Sequence, residues 1–284
     1  MNPYGFTGRT AVLTGAASGI GEQLAYDLAG RGSDLVLVDV DAARLAEVAG
    51  RIGRTHPGPT VRAIVADLAD RSAVDDVATR VLAEHPLLGL LINNAGIALG
   101  GRFDQVTTGE FEHVMNVNFR APMLLTHALL PALKAGRGSH LVNVSSLFGL
   151  IAPAGQSAYS ASKFALRGFS QALQAELAED GIGVTTVHSG GIRTRIAESA
   201  RIGSGVPSSE VEPHRTVFTK LLTYPPEKAA RQILDAVAKR KARVLIAASA
   251  KAPDVLARLF PVGHQRILRA ATAGRGRGAR EVAR

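Results

Sequence analysis

Thr10-Ala11-Val12-Leu13-Thr14-Gly15-Ala16-Ala17-Ser18-Gly19-Ile20-Gly21 opens as an apolar run of strand length, closes on three glycines and leads into a helical pattern. Glycines there let the chain turn tightly and let an anion approach free N–H groups at the positive end of a helix. Alone, such a turn is weak evidence. Between a first strand and a first helix it predicts a seat for a pyrophosphate.

The same rhythm runs outward from this stretch. Val/Leu/Ile-rich runs of strand length lie at 10–14, 34–39, 61–66, 89–93, 140–145 and 183–188, with a seventh at 243–247. They are nearly continuous, as strands covered on both faces require. Helical patterns lie between them, near 19–31, 41–53, 70–84, 108–135, 157–180 and 226–240. Repeated strand–helix order predicts an α/β fold: a doubly wound parallel sheet of about seven strands with helices on both faces. Residues 1–250 read as one domain. Within it, 195–224 is rich in Gly, Pro, Ser and charge with little periodicity, and reads as a substrate lid. Residues 251–284 read as an extra helix, broken at Pro261, and a basic Gly/Arg tail.

Cysteine is absent, so disulfides and thiolate metal sites are excluded, and no metal is expected. No signal peptide or spanning apolar run is visible. A cytoplasmic protein is the expectation. Much of the net charge of +9 sits late in the chain, where Gly274-Arg275-Gly276-Arg277-Gly278-Ala279-Arg280 is a basic, glycine-rich tail. No aromatic residues interleave it, which argues against nucleic acid.

About twenty residues beyond the glycines, Asp39 ends the second strand. A carboxylate there can accept both ribose hydroxyls of an adenosine and repel a 2′-phosphate. No Lys or Arg stands at 38 or 40, and Ser18 precedes Gly19, so NAD is expected over NADP. The plainer alternative is a turn shared with Asp41. Asn93-Asn94-Ala95-Gly96 ends the fourth strand, where small residues make room for the adenosine and the amides can tie strands together. Asp67-Leu68 can reach the adenine edge, and a cap before Ala69 is an equal alternative for Asp67.

Tyr159 and Lys163 lie one helical turn apart. A phenol near pKa 10 is a poor base at neutral pH; an ammonium and a cationic nicotinamide favour its phenolate. Ser146 follows the strand at 140–145, at the edge where doubly wound sheets bind ligands, and can hydrogen-bond a substrate oxygen. A capping role fits Ser145 better than Ser146. Asn118, inside a helical pattern, is a costly choice that invites a function such as holding a water, with Asn116 as its rival.

Together, Thr14 to Gly21, Asn93 to Gly96, Asn118, Ser146 and Tyr159-x-x-x-Lys163 resemble the short-chain dehydrogenase/reductase family over roughly residues 8–247. The resemblance implies a Rossmann-type domain with Tyr159 as acid/base, Lys163 on the nicotinamide ribose, Ser146 orienting the carbonyl and Asn118 holding a water in a proton relay. It implies cofactor contacts from Gly15, Ser18, Gly19, Ile20, Asp39, Asp67, Leu68, Asn94, Ala95, Gly96, Ile192 and Thr194. It also implies a homodimer or homotetramer built through the long helices. One departure stands out: Ser189-Gly190-Gly191 replaces the usual Pro-Gly, which restores an N–H and predicts a looser loop there.

These readings converge on an NAD-dependent oxidoreductase that interconverts a secondary alcohol and a ketone or aldehyde. Leu147, Phe148, Gly149, Leu150 and Ile151, with Ile196, Val206, Val217, Phe218 and Leu221 of the lid, suggest a hydrophobic substrate. A non-catalytic NAD-sensing or scaffold protein is the alternative, disfavoured by the intact catalytic set. Lys251, Arg258, Arg266 and Arg269 around Leu256, Leu259, Phe260, Ile267 and Leu268 leave peripheral membrane contact open beside a subunit contact or a cover for the substrate mouth.

Overall fold

The computed structural model describes residues 2–195, 200–212, 219 and 222–267. A seven-stranded parallel sheet runs in the order β3-β2-β1-β4-β6-β7-β9. Its strands are β1 (Thr10–Thr14), β2 (Asp34–Asp39), β3 (Val61–Val65), β4 (Leu90–Asn93), β6 (His140–Ser146), β7 (Gly183–Ser189) and β9 (Arg243–Ile246). The chain builds outward from β1 to β3, then returns past β1 to place β4 on its other side. That reversal opens a crevice beyond the carboxyl ends of β1 and β4, the usual ligand position in such sheets.

Alternation along each strand feeds two cores. Ala11 and Leu13 of β1 point to one, with Leu24 and Leu28 of α1 (Gly19–Gly30), Leu45 and Ile52 of α2 (Ala42–Thr55) and Ile233 of α7 (Pro226–Ala238). Val12 points to the other, with Val77 and Val81 of α3 (Arg71–Glu84), Leu125 of α5 (Ala121–Ala135) and Leu173 of α6 (Ser157–Glu176). Strands covered on both faces, such as β1 and β2, thus need apolar residues at consecutive positions, whereas edge strand β3 buries only Ile64.

Three segments differ from expectation. The pattern at 108–135 is a rod of α4 (Thr108–Met115), a π-helical turn (Asn116–Arg120) and α5. Pro122 has no N–H to give the Asn118 carbonyl its ordinary helical partner, and the register widens there. Within the lid, β8 (Arg201–Ile202) pairs in parallel with β5 (Leu99–Gly100), a two-stranded sheet that the sequence did not predict. Ile196, Val217, Phe218, Leu221, Leu268, Arg269 and the Gly/Arg tail lie outside the described residues. The C-terminal helix, α8 (Ala248–Leu259), starts before 252 and stops short of Pro261, because a residue preceding proline resists the helical conformation.

Candidate active site

A cavity of about 690 Å³ occupies the crevice, within the roughly 300–1,000 Å³ of ligand sites. Gly15, Ser18, Gly19, Ile20, Asp39 and Thr194 line one end, Asp67, Leu68, Asn94, Ala95 and Gly96 the middle, and Ser146, Tyr159 and Lys163 the other; Ile192 lines it as well. At Gly19, φ is +59°, and a Cβ would come within 2.9 Å of the Thr194 side chain. A Cβ on Gly21 would overlap the Gly15 carbonyl oxygen. These two positions are therefore open only to glycine, which leaves a backbone-lined cradle that fits a pyrophosphate.

Asp39 takes the turn role that is its plainer reading, and it also lines the cavity. Its Oδ2 accepts the Ala17 N–H at 2.9 Å and its Oδ1 the Asp41 N–H at 3.0 Å, so it anchors the glycine turn and its own turn while facing the cavity. Asp67 lines the cavity and also accepts the Ala69 N–H at 2.9 Å. The asparagines at the end of β4 are structural ties. Asn93 donates to the Asn143 side chain at 2.8 Å, and Asn94 donates to the Thr14 and Gly15 carbonyls at 3.0 and 3.1 Å. Thr14 Oγ1 completes the knot by accepting the Asn94 and Ala95 N–H groups.

At the other end Tyr159, Lys163 and Ser146 are all buried. Lys163 Nζ lies 5.7 Å from the centre of the Tyr159 ring and donates to the Val144 carbonyl at 3.0 Å. Gly96 keeps the space beside it: a Cβ there would lie 3.2 Å from Nζ and 3.3 Å from Asn118 Oδ1. Burial lowers Lys163 to about 8, so the ammonium still dominates at pH 7. Burial pushes the Tyr159 phenol above its ordinary value, and the Ser146 hydroxyl pulls it back. Protein groups alone thus hold a neutral phenol, the form of a proton donor.

Asn118 is fully buried and does not line the cavity. Its amide donates to the Ile97 carbonyl and Ser162 Oγ, and its Oδ1 accepts the Ile97 N–H. Asn116 is no rival: its Oδ1 accepts from Arg120 at the surface. The capping role falls to Ser146, not Ser145. Ser146 Oγ caps the following turn by accepting the Phe148 N–H at 3.1 Å, whereas Ser145 donates to the Lys163 carbonyl at 3.0 Å. Ser189 extends β7, and Gly190 and Gly191 donate to the Ile246 carbonyl and Ser249 Oγ, so the expected looseness is absent from this edge.

Several residues escaped the sequence reading. His188, buried and lowered to about 4 by desolvation, holds the Ser146 carbonyl through Nδ1 at 3.1 Å. It pairs across the sheet with Ser145, so only the strand order reveals it. His113, Gln156, Arg201 and Ser249 also line the cavity. They come from four separate segments, and nothing local marks them.

A family profile described as short chain dehydrogenase matches residues 9–204, more than two thirds of the chain. SadH of Mycobacterium tuberculosis is 41% identical over 271 residues, covering 94% of this chain and 96% of SadH. Among solved structures, a short-chain dehydrogenase/reductase from Burkholderia phymatum in complex with NAD has a TM-score of 0.83 at 25% identity, covering 90% of this chain and 95% of its own. A short-chain dehydrogenase from Sphingobium yanoikuyae in complex with NADPH has a TM-score of 0.72 at 30% identity, covering 96% and 95%. Sequence motifs, strand order and these likenesses agree: the chain belongs to the short-chain dehydrogenase/reductase family of oxidoreductases.

Proposed function

We propose that the protein is an NAD-dependent oxidoreductase that interconverts a secondary alcohol and a ketone, or an aldehyde and its alcohol, on a hydrophobic substrate. The observation that carries this reading is the meeting of Tyr159, Ser146 and Lys163 at one end of a cavity whose other end is Asp39 and the glycine cradle. A bound nicotinamide supplies the hydride acceptor or donor and, when oxidised, a positive charge beside the phenol. Ser146 donates to the substrate oxygen and fixes its position. Tyr159 gives its proton to that oxygen in reduction and takes it back in oxidation. Lys163, held by Val144, keeps a positive charge one turn below the phenol. Asn118, whose side-chain amide is occupied by Ile97 and Ser162, would offer its backbone carbonyl as the water seat of a proton relay to Lys163.

Asp39 supports NAD, since its carboxylate faces the cavity and would repel a 2′-phosphate. The adjoining depression, lined by Ser18 and Gly19, also holds the cations that would favour NADP: Arg44, which lies 3.7 Å from Asp41, with Arg193 and Arg195. The NAD-bound Burkholderia neighbour is consistent with NAD, and the NADPH-bound Sphingobium neighbour makes the comparison worth measuring. Leu147, Phe148 and Leu222 at the catalytic end support an apolar substrate.

The test is a panel of alcohols and ketones followed by reduced-nicotinamide absorbance, with wild type and Tyr159→Phe side by side and both cofactors compared. Turnover should favour NAD in kcat/KM by at least about tenfold, a discrimination of about 1.4 kcal/mol. Tyr159→Phe should lower kcat by about 10²-fold or more. Near-normal turnover in that variant sinks the catalytic assignment, and a preference for NADP sinks the cofactor assignment.

A further inference from the structure

We propose that the C-terminal segment 248–267 is a docking surface for an anionic lipid bilayer. Ten large hydrophobic side chains are exposed among the described residues, and Val255, Leu259, Phe260, Val262 and Ile267 are five of them. Half of that apolar exposure thus falls within thirteen consecutive positions, with Val262 at 88%. Lys251, Val255 and Leu259 succeed one another four residues apart on α8, so one face carries both a cation and apolar side chains.

Charge selects the occupant. Residues 248–284 hold eight Lys or Arg against two acids, six of the chain's nine net positive charges. The single acid between 248 and 267, Asp254, is only 6% exposed and is paired with Arg243 of β9 and Arg258. The segment therefore presents apolar groups and cations to solvent, and no free carboxylate. A second copy brought face to face across a two-fold axis would oppose like charges. Nucleic acid would leave the apolar side chains uncovered. An anionic bilayer takes both: hydrophobic side chains enter the headgroup boundary, and the cations meet lipid phosphates.

The surface also adjoins the cavity. Ser249, at the start of α8, lines it, and Gln265 donates to the Ala152 carbonyl at 3.2 Å, just past the apolar residues 147–151. Resting on the hydrophobic substrate proposed above, docking would bring the cavity's catalytic end close to the phase in which such a substrate dissolves.

Co-sedimentation of the full chain with phosphatidylcholine vesicles, with and without phosphatidylglycerol, tests the surface. Binding to the anionic vesicles at low salt should exceed binding to the neutral ones by at least about tenfold and fall away at high salt. The double variant Leu259→Asp/Phe260→Asp should lose that binding while keeping its melting temperature and its turnover of a water-soluble substrate. Should that variant fold poorly, Lys251→Glu/Arg266→Glu leaves the apolar side chains intact and should lose binding to the same vesicles. No sedimentation with anionic vesicles at low salt overturns the proposal, as does equal binding to both lipids or binding that survives both variants. A wild-type dimer that Leu259→Asp/Phe260→Asp converts to monomer overturns it in favour of a second copy. Sedimentation is read without turnover, so an inactive enzyme that still docks refutes the oxidoreductase reading and leaves this one standing.

Discussion

Lys163 carries its charge where the surroundings disfavour it, and that cost is measurable. Its pKa of about 8 in the fold lies below the 10.5 of a free lysine, so unfolding takes up a proton between those values. The penalty is complete below pH 8 and fades as the pH rises toward 10.5. At about 1.4 kcal/mol per tenfold this is roughly 3 kcal/mol, offset by about 1 kcal/mol for the hydrogen bond to the Val144 carbonyl. Lys163→Met should therefore stabilise the protein by about 2 kcal/mol at neutral pH and abolish turnover. Denaturant titrations at neutral pH and at about pH 10 check both the sign and the fading of the gain. Tyr159, Lys163 and Ser146 were legible because their spacing matches a chemical need. His188 was not, because its partner lies 42 residues away and only strand pairing joins them. The cap fell to Ser146 and not Ser145 because a strand end determines which hydroxyl faces the next turn, and β6 runs one residue further than its apolar pattern.

β7 lies between β6 and β9, and its N–H groups alternate between them. Gly183 donates to Ser139 on the β6 side, while Thr186 and Gly190 donate to Ala242 and Ile246 on the β9 side. That alternation directs the Ser189 N–H to β6. Ser189→Pro would remove a central ladder bond, so stability should fall by about 1–3 kcal/mol, with a lesser effect on the Michaelis constant for the cofactor. Equilibrium unfolding beside steady-state kinetics separates the two. Strands such as β1 and β2 were readable to the residue because burial on both faces demands unbroken apolar runs. The pair β5·β8 was not, since two residues apiece cannot display a period. The π turn was equally hidden, although Pro122 four residues beyond Asn118 was a mark of it in plain view.

At the scale of the molecule, Asp254 is the clasp between the C-terminal helix and the sheet. Removing it with Asp254→Ala unpairs Arg243 and Arg258, so hydrogen exchange over 248–259 should quicken. The global melting temperature should move little, because both cores lie elsewhere. Calorimetry alongside exchange distinguishes a local opening from a general loss. The doubly wound order was foreseeable from the strand–helix rhythm, whereas the clasp depends on a contact across separate elements. The same winding has a consequence for synthesis. β1 is complete once residue 14 leaves the ribosome, yet its second neighbour, β4, begins only at residue 90. At roughly 5–20 residues per second, β1 of the nascent chain waits some seconds with one edge bare. A protein so wound depends on a brisk ribosome, or on a chaperone that shields that edge in the interval.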